Sequence, residues 1–335
     1  MIEGITTYGS TELMEYLGEV IDPVFICTIG TTETSLIPGL SGAGATPELT
    51  EYTPAADSEL MVLGHVECME EIPQTVVGKA AAPTPAMLTK ASLEIADIPF
   101  IIADAGCKIK PHIECMRLGS DYGRDIRTGK GVLNPLEIYE NARELGAELA
   151  RRHPMLIIGE SIAAGTTTAL GVLRALGYDA NEKVSGSMPH NPHDMKSKIV
   201  DEGLKNAGLN PETDNIDGLQ AIGAVGDPTL AAISGFVLGV DGQIPLILAG
   251  GTQMAAACAV GDETADLIGL LKQIDDDITL HSVDPKFEES DHDGLKNYLD
   301  GFVKEGAGAG GAMFTALARG VPLEKLRKKI EKTCS

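Results

Sequence analysis

Short apolar runs, each ending at a glycine or a small polar residue, recur along this chain and constrain its fold more than any other feature. Most of them are nearly continuous rather than alternating, which is typical of strands buried on both faces of a parallel sheet. Such a sheet needs helices on both sides to cover it. The sequence therefore predicts strands at residues 24–29, 60–66, 100–103, 155–158, 219–225, 244–249 and 278–283.

Helical patterns lie between several of these runs. Asn134 is predicted to cap one helix, with Pro135 at its first position and Glu137 as the reciprocal partner, and this helix extends to about residue 152. Asp227, followed by Pro228, is predicted to cap a second helix that reaches residue 240. Further helices are predicted at residues 166–176, 252–260, 263–273 and 322–332.

The repeated order of strand, glycine-rich loop and helix indicates a doubly wound α/β fold. Its sheet is predicted to be mostly parallel, with helices on both faces and ligands at the carboxyl ends of the strands. Residues 1–20 and 285–335 read as helical and charged and lack buried-strand runs. They are predicted to form a small helical domain or layer beside a core domain of residues 21–284. The polar stretches 181–197 and 284–293 are predicted to be loops.

Charge excludes two classes of partner. The chain has 26 Lys and Arg against 49 Asp and Glu, a formal net charge of −23, which repels nucleic acid and anionic lipid. No apolar run approaches the roughly 20 residues that span a bilayer, and no targeting segment is evident. We therefore expect a soluble, cytoplasmic protein that acts on small molecules.

Metal and redox motifs are weak. His190 and His193 are separated by Pro192, which interrupts the helix that would bring them together. Cys107 and Cys115 have no second cysteine or histidine pair at zinc-site spacing. The six cysteines contain no C-x-x-C and are most simply free thiols. No metal and no cofactor are predicted.

The first candidate site is the glycine-rich segment at residues 159–168, which follows an apolar run and leads into a helix. In that context the backbone N–H groups at the helix start can bind an anion, with threonine hydroxyls in support. The alternative is a strand–helix turn needed only for packing. The segment is neither a P-loop nor a dinucleotide fingerprint, because the required Lys and glycine spacing are missing. Its residues are Gly159, Glu160, Ser161, Gly165, Thr166 and Thr167.

The second candidate is the segment at residues 304–312, which carries Glu305 among glycines and alanines. With few side chains around it, a ligand can approach the backbone closely, and Glu305 is a candidate general base. The alternative is an exposed acid in a flexible loop. A third segment, residues 28–34 and on through 38–46, includes Gly30, Thr31 and Thr32. It is rich in small and hydroxylated residues and reads as a binding loop or as a packing loop over the sheet.

Together these segments resemble the nicotinate-nucleotide:dimethylbenzimidazole phosphoribosyltransferase family, in its archaeal branch. Bacterial members carry G-E-x-G-I-G-N-T-T in the first loop and G-E-G-T-G-A in the C-terminal loop. The matching residues are Gly159, Glu160, Thr166 and Thr167 in the first loop, and Glu305, Gly306, Gly308 and Ala309 in the second. Ala164, Gly165, Lys304 and Ala307 stand where the bacterial motifs have Gly, Asn, Gly and Thr.

Three weaker matches lie between the loops. Lys198 begins a K-I/V stretch whose lysine serves the nucleotide site in the family, and Gly226 with Asp227 resembles the family's G-G-F helix start. The run that ends at Ala249 and Gly250 resembles a V-L-V-D-G strand end, with Ala249 in place of the Asp. The matches cover about residues 155–315, whereas the N-terminal third is similar to the archaeal proteins only.

The resemblance implies transfer of phosphoribose from nicotinate mononucleotide to a benzimidazole-type base, in the assembly of the cobamide lower ligand. It implies a homodimer, no cofactor, Glu305 as the proton acceptor, and Glu160 near the donor ribose or the base. The nucleotide would bind at Gly159, Ser161, Gly165, Thr166, Thr167, Lys198, Gly306 and Gly308. The base pocket would draw on Gly30, Thr31, Thr32, Gly226, Asp227, Gly250 and Gly251.

Two other functions stay open at this point. The replacements in the motifs suit a protein that binds a nucleotide or a cobamide precursor without catalysis. A nucleotide-dependent oxidoreductase is the third possibility, although it would require a dinucleotide fingerprint.

Overall fold

A parallel β-sheet forms the centre of the computed structural model, which describes residues 2–19, 22–44, 46–70, 72–77, 80–261, 279–303 and 306–335. The strands in these residues are β1 (Ile5–Tyr8), β2 (Val24–Gly30), β3 (Gln74–Val77), β4 (Ala80–Pro83), β5 (Phe100–Gly106), β6 (Met116–Arg117), β7 (Leu156–Ser161), β8 (Leu246–Ala249) and β9 (Leu280–Val283).

Helices surround the sheet. Within the described residues they are α1 (Glu12–Glu19), α2 (Thr53–Leu63), α3 (Pro85–Ile95), α4 (Pro135–Ala150), α5 (Gly165–Ala175), α6 (His193–Ala207), α7 (Gly218–Val225), α8 (Pro228–Val240), α9 (Thr252–Gly261), α10 (Asp293–Lys296), α11 (Ala309–Ala318) and α12 (Leu323–Cys334).

The central sheet has five strands in the order β6-β5-β2-β7-β8, and every neighbouring pair is parallel. Strand β2 alternates between two hydrophobic cores: Val24 and Ile26 pack with α4, α5 and α8, whereas Phe25 and Cys27 pack with α3, α11 and α12. This two-sided burial explains the continuous apolar runs of the sequence. The predicted doubly wound α/β fold, with helices on both faces, is confirmed.

Two predicted strands are wrong. Residues 60–66 include the end of α2, and residues 219–225 lie in α7, a short helix of mostly apolar residues. A short apolar run is compatible with a buried strand and with a buried helix, because periodicity cannot separate the two over a few residues. The run at 278–283 contains β9, which pairs antiparallel with β1 in a separate two-stranded sheet; residue 278 itself lies outside the described residues.

Most predicted helices are confirmed, and one predicted cap is confirmed in detail. The Asp227 carboxylate accepts hydrogen bonds from the backbone N–H groups of Thr229 and Leu230 and so caps α8. Asn134 precedes α4 without bonding a backbone N–H; its Nδ2 donates to Glu137 Oε2 at 2.7 Å instead. The loop predicted at 181–197 ends earlier, since α6 begins at residue 193. The helix predicted at 263–273 lies outside the described residues.

Both ends of the chain pack on one face of the sheet. Leu17 of α1 and Leu326 of α12 belong to the same hydrophobic core as Phe25 of β2. Residues 5–8, predicted to be helical, form strand β1. The division into a core domain of 21–284 and a small helical layer of 1–20 with 285–335 stays a proposal.

Candidate functional site

Strand β7 ends at Ser161, and α5 begins at Gly165, so residues 162–164 form the turn at the carboxyl end of a central strand. Ala164, which precedes the helix, has a left-handed backbone with φ of 62°. The turn brings the first backbone N–H groups of α5 to the edge of the sheet where ligands bind in doubly wound folds. Residues 159–168 therefore have the strand–turn–helix geometry that the sequence predicts.

The C-terminal loop lies directly against this turn. A Cβ atom at Gly159 would come within 2.7 Å of Gly308 Cα, and one at Gly308 within 2.9 Å of Gly159 Cα. Only glycine permits this approach of two backbones, since real Cβ contacts are longer. The Thr89 hydroxyl holds the C-terminal loop in place by donating a hydrogen bond to the carbonyl of Ala307 at 2.8 Å. The two glycine-rich loops, about 150 residues apart in sequence, are thus in contact.

A cleft opens where the two loops meet. It encloses about 730 Å³ of space between protein atoms, including the part that opens to solvent. Of the residues predicted for the site, five line it: Glu160, Ser161, Gly165, Thr166 and Gly306. Glu305, which precedes Gly306, lies outside the described residues.

Glu160 is buried in the wall of this cleft, with 2 % of its surface exposed. Its Cα is paired with that of Thr28 across β7 and β2. A Cβ atom at Gly250 would lie 3.4 Å from Glu160 Oε1, so the strand end of β8 passes close to this carboxylate. Of the two predicted catalytic residues, Glu160 therefore faces the cleft beside Ser161.

Asp57 is a second buried carboxyl in the cleft, and the sequence analysis did not identify it. Its Oδ2 accepts a hydrogen bond from Ser161 Oγ and its Oδ1 one from Thr84 Oγ1, each at 2.6 Å. Burial raises the pKa of Asp57 from its ordinary value of 3.8 to about 6, and the two hydroxyl donors oppose part of this rise. Because Ser161 gives its hydroxyl hydrogen to Asp57, it has only acceptor capacity left for a ligand.

Lys196 brings a cation to the start of α5. Its Nζ donates to Thr166 Oγ1 at 2.9 Å and to the carbonyl of Ser185 at 2.5 Å, and 1 % of the residue is exposed. Lys198, which the motif indicated, is exposed on α6. Two residues along a helix turn a side chain by about 200°, so the two lysines point in nearly opposite directions. The structure thus brings Lys196, and not Lys198, to the glycine-rich turn.

Asp227 is buried beneath the site and does not line the cleft. Its Oδ2 accepts from Thr168 Oγ1 at 2.5 Å and from Gln253 Nε2 at 3.5 Å, and its Oδ1 accepts from Thr229. Burial raises the pKa of Asp227. Gln253 does line the cleft and packs against Gly165. Asp227 therefore supports the site by holding α5, α8 and Gln253 together.

The other predicted site residues lie around the cleft rather than in its lining. Gly30, Thr31 and Thr32 are buried at the end of β2, where Gly30 packs against Thr229. Thr167 is buried, and its hydroxyl has no hydrogen-bond partner among the described residues. The remaining members of this set are Gly159, Gly226, Gly250, Gly251 and Gly308.

No group of three or more His, Cys, Asp and Glu is placed to hold a metal ion within the described ranges. A helix long and apolar enough to cross a membrane is likewise absent from those ranges.

Several polar residues in or near the cleft were not identified by the sequence analysis, among them Thr53, Asp57, Thr84, Lys196 and Gln253. One signal was available for Asp57, which stands in a run of small and apolar residues where an acid is costly unless it is paired. Lys196 could be distinguished from Lys198 only by knowing where α6 begins.

The comparisons with known proteins find sequence relatives and solved structures of similar fold. No known family model matches the chain. A UPF0284 protein of Methanothermobacter thermautotrophicus is 48 % identical over 100 % of this chain and 98 % of its own length. UPF0284 proteins of Saccharolobus solfataricus and Methanopyrus kandleri are 41 % and 39 % identical, each over 94 % of this chain, and over 93 % and 88 % of their own lengths.

Two solved structures from Thermus thermophilus have the same fold. One is CobT, with a TM-score of 0.56 and 17 % identity, covering 95 % of this chain and 91 % of its own. The other is a nicotinate-nucleotide–dimethylbenzimidazole phosphoribosyltransferase, with a TM-score of 0.56 and 17 % identity, covering 92 % of this chain and 83 % of its own. At this identity the similarity concerns the fold alone.

Proposed function

The chain belongs to the UPF0284 family, and from this premise and the geometry of the cleft we propose that it transfers phosphoribose from nicotinate mononucleotide to a benzimidazole-type base. The observation that carries the proposal is that Thr166, at the start of α5, and Gly306, beside Glu305, line one cleft. The motif residues of the transferase family come from both loops. Similarity to transferase structures of the same fold supports the proposal.

The reaction suits a site without a metal. The bond between the ribose C1′ and the pyridinium nitrogen breaks, and its electron pair leaves with nicotinate. A ring nitrogen of the base forms the new bond to C1′ with its lone pair. The base then loses its other ring N–H proton to a carboxylate, so the products are an α-ribazole phosphate, nicotinate and one proton. A well-placed general base contributes on the order of 10²–10⁴-fold to such a step.

The phosphate of the nucleotide would bind at the start of α5. This end of the cleft combines the first N–H groups of the helix with the Thr166 hydroxyl and the Lys196 ammonium group. An anionic substrate needs such a local positive potential, because the chain as a whole carries a formal charge of −23. Ser161 would contribute as an acceptor, for example toward a ribose hydroxyl.

We assign the proton-accepting role to Glu305, as the motif implies, and place Glu160 beside the ribose or the base. A homodimer, implied by the family resemblance, and a cytoplasmic location, expected from the sequence, remain predictions.

The test is an assay of nicotinate release from nicotinate mononucleotide, with and without an added base. We expect release that depends on the base, together with formation of the α-ribazole phosphate. Glu305→Gln should keep nucleotide affinity and lower turnover by roughly 10²–10⁴-fold.

Glu59→Gln is the matched control for this assay. Glu59 is a buried carboxylate on α2 that accepts hydrogen bonds from the backbone N–H groups of Glu67, Cys68 and His112, and it is not part of the cleft lining. Its replacement should lower stability and leave turnover unchanged. Wild-type turnover in Glu305→Gln would remove the general-base assignment. Nucleotide binding without any nicotinate release would favour the non-catalytic binding protein instead.

A further inference from the structure

Thr53 carries an unsatisfied hydroxyl in the wall of the cleft. It is the first residue of α2, lines the cleft and has 8 % of its surface exposed. Its Oγ1 is buried and has no hydrogen-bond partner among the described residues. A buried hydroxyl without a partner is costly, so this group calls for a ligand atom.

Other helical hydroxyls of the chain show what Thr53 lacks. Ser92, Thr315 and Thr333 each donate to the carbonyl four residues earlier in the chain, which is the usual way for a helical hydroxyl to be satisfied. Thr53 stands at the start of its helix and makes no such bond. Its hydroxyl therefore has no acceptor within the helix, at a point where the first turn of α2 lines the cleft.

Asp57 lies one turn further along the same face of α2. Residues four apart on a helix are neighbours, with Cβ atoms about 5–6 Å apart. Each Asp57 oxygen receives one hydroxyl donor, from Thr84 or Ser161, and a carboxylate offers about four acceptor positions in all. Asp57 can therefore accept further hydrogen bonds from a ligand while it keeps both of its protein partners.

Apolar side chains belong to the same cleft lining. They are those of Leu40, Pro73, Pro85, Ile162 and Val303, alongside polar residues such as Ser41, Gln74 and Thr75. Apolar walls with a few polar groups at one edge are what a flat aromatic ring requires, because its faces are apolar and its orientation is set by the edge. The polar edge here consists of Thr53 and Asp57.

The geometry points to an acceptor base that carries a hydrogen-bond donor, such as a ring amino group, on the edge that faces the first turn of α2, where Asp57 and Thr53 receive it. This inference rests on the proposed function, since it names the class of base. A base with two methyl groups on that edge would leave the Thr53 hydroxyl unpaired and would press apolar groups against a buried carboxylate. A site built to bond a polar substituent rejects the analogue that lacks it.

Two bases of nearly equal shape test the inference. 5-Aminobenzimidazole and 5-methylbenzimidazole differ by an amino group in place of a methyl group, and their binding to the full-length protein can be measured by isothermal titration. We expect the amino compound to bind about tenfold more tightly or better, as for a hydrogen bond to a charged group. In Thr53→Val, which keeps the shape of the side chain, this ratio should fall several-fold.

Three variants make the result specific. Thr53→Ser keeps the hydroxyl and should keep the ratio. Asp57→Asn removes the charge and should lower the ratio. Thr28→Val removes another buried hydroxyl that has no partner among the described residues, from a side chain of β2 outside the cleft lining, and should leave the ratio unchanged.

Equal binding of the two bases by the wild-type protein, an unchanged ratio in Thr53→Val, or binding of neither base would each overturn the inference. The nicotinate-release assay, run separately, distinguishes this failure from that of the proposed function. Transfer to both bases at equal efficiency would leave the transferase intact and refute the polar edge. A binding ratio that depends on Thr53, without nicotinate release, would support the edge and refute the transferase.

Discussion

Asp57 and Asp227 are both fully buried carboxyls, and each accepts a hydrogen bond from a hydroxyl of the segment that contains the glycine-rich turn, Ser161 or Thr168. Their surroundings differ in how much hydrogen-bond acceptor capacity each carboxyl has left for a ligand. Asp227 receives two backbone N–H groups, two hydroxyls and an amide, and lies outside the cleft. Asp57 receives two hydroxyls and lines the cleft. Burial and a raised pKa are common to both carboxyls, so neither property alone identifies a functional carboxyl. The distinguishing property is unused hydrogen-bond acceptor capacity that faces a cavity.

Replacing Asp227 should have the largest effect on stability. Asp227→Ala removes the cap of α8 and leaves the hydroxyls of Thr168 and Thr229 without their acceptor. A lost cap costs about 0.5–2 kcal/mol, and buried polar groups left unsatisfied cost a further ~1–3 kcal/mol. Urea unfolding should therefore show a free energy of unfolding lower by roughly 2–5 kcal/mol. A free energy of unfolding within about 0.5 kcal/mol of the wild type would contradict the structural role of Asp227, because such a small effect is typical of surface sites.

The titration of Asp57 should appear in the pH dependence of stability. Its pKa is about 6 in the folded protein and near 3.8 when exposed, so the folded state binds more protons between these values. The free energy of unfolding must then fall as the pH rises from about 4 to about 6, by up to ~3 kcal/mol for a shift of about two pKa units.

The measurement compares wild type with Asp57→Asn in urea at several pH values. Asparagine does not titrate, so the difference in stability should move in favour of the variant as the pH rises and should level off above about pH 6. Glu160, the other carboxylate in the wall, is present in both proteins and drops out of this difference to first order. A difference that does not change with pH would mean that Asp57 is ionised throughout.

In catalysis, Asp57→Asn should act mainly on the base. Loss of a hydrogen bond to a charged group costs about 1.5–3 kcal/mol, which corresponds to a KM for 5-aminobenzimidazole raised by roughly 10–100-fold. The kcat should fall far less than in Glu305→Gln, because Asp57 is assigned to binding and not to the proton transfer. Equal losses of kcat in Asp57→Asn and Glu305→Gln would mean that Asp57 takes part in the chemical step.

Lys196 and Lys198, both on α6, offer a smaller contrast of the same kind. Lys196→Met removes the ammonium group that contacts Thr166 and should raise the KM for nicotinate mononucleotide by about tenfold or more, as expected for a charge-assisted hydrogen bond. Lys198→Met changes an exposed side chain and should have a much weaker effect. A larger effect of Lys198→Met than of Lys196→Met would instead assign the nucleotide site to Lys198, as the motif indicated.

Much of the fold follows from the sequence because β2 and β7 are buried on both faces, which leaves a pattern that no exposed strand would show. Residues 219–225 show where this reasoning fails, because a short, mostly apolar helix can have the same composition as a buried strand. The two glycine-rich loops were identifiable because the fit of Gly159 against Gly308 demands small residues. Asp57 was not, because its importance arises from Ser161 and Thr84, which lie 104 and 27 residues away along the chain.

The contact between Gly159 and Gly308 also sets a time order for synthesis. The turn at the end of β7 is made about 150 residues before its partner loop. A nascent chain that has not yet reached residue 306 lacks one wall of the cleft. The site is therefore completed late, by joining segments whose long separation makes the closing step a slow one.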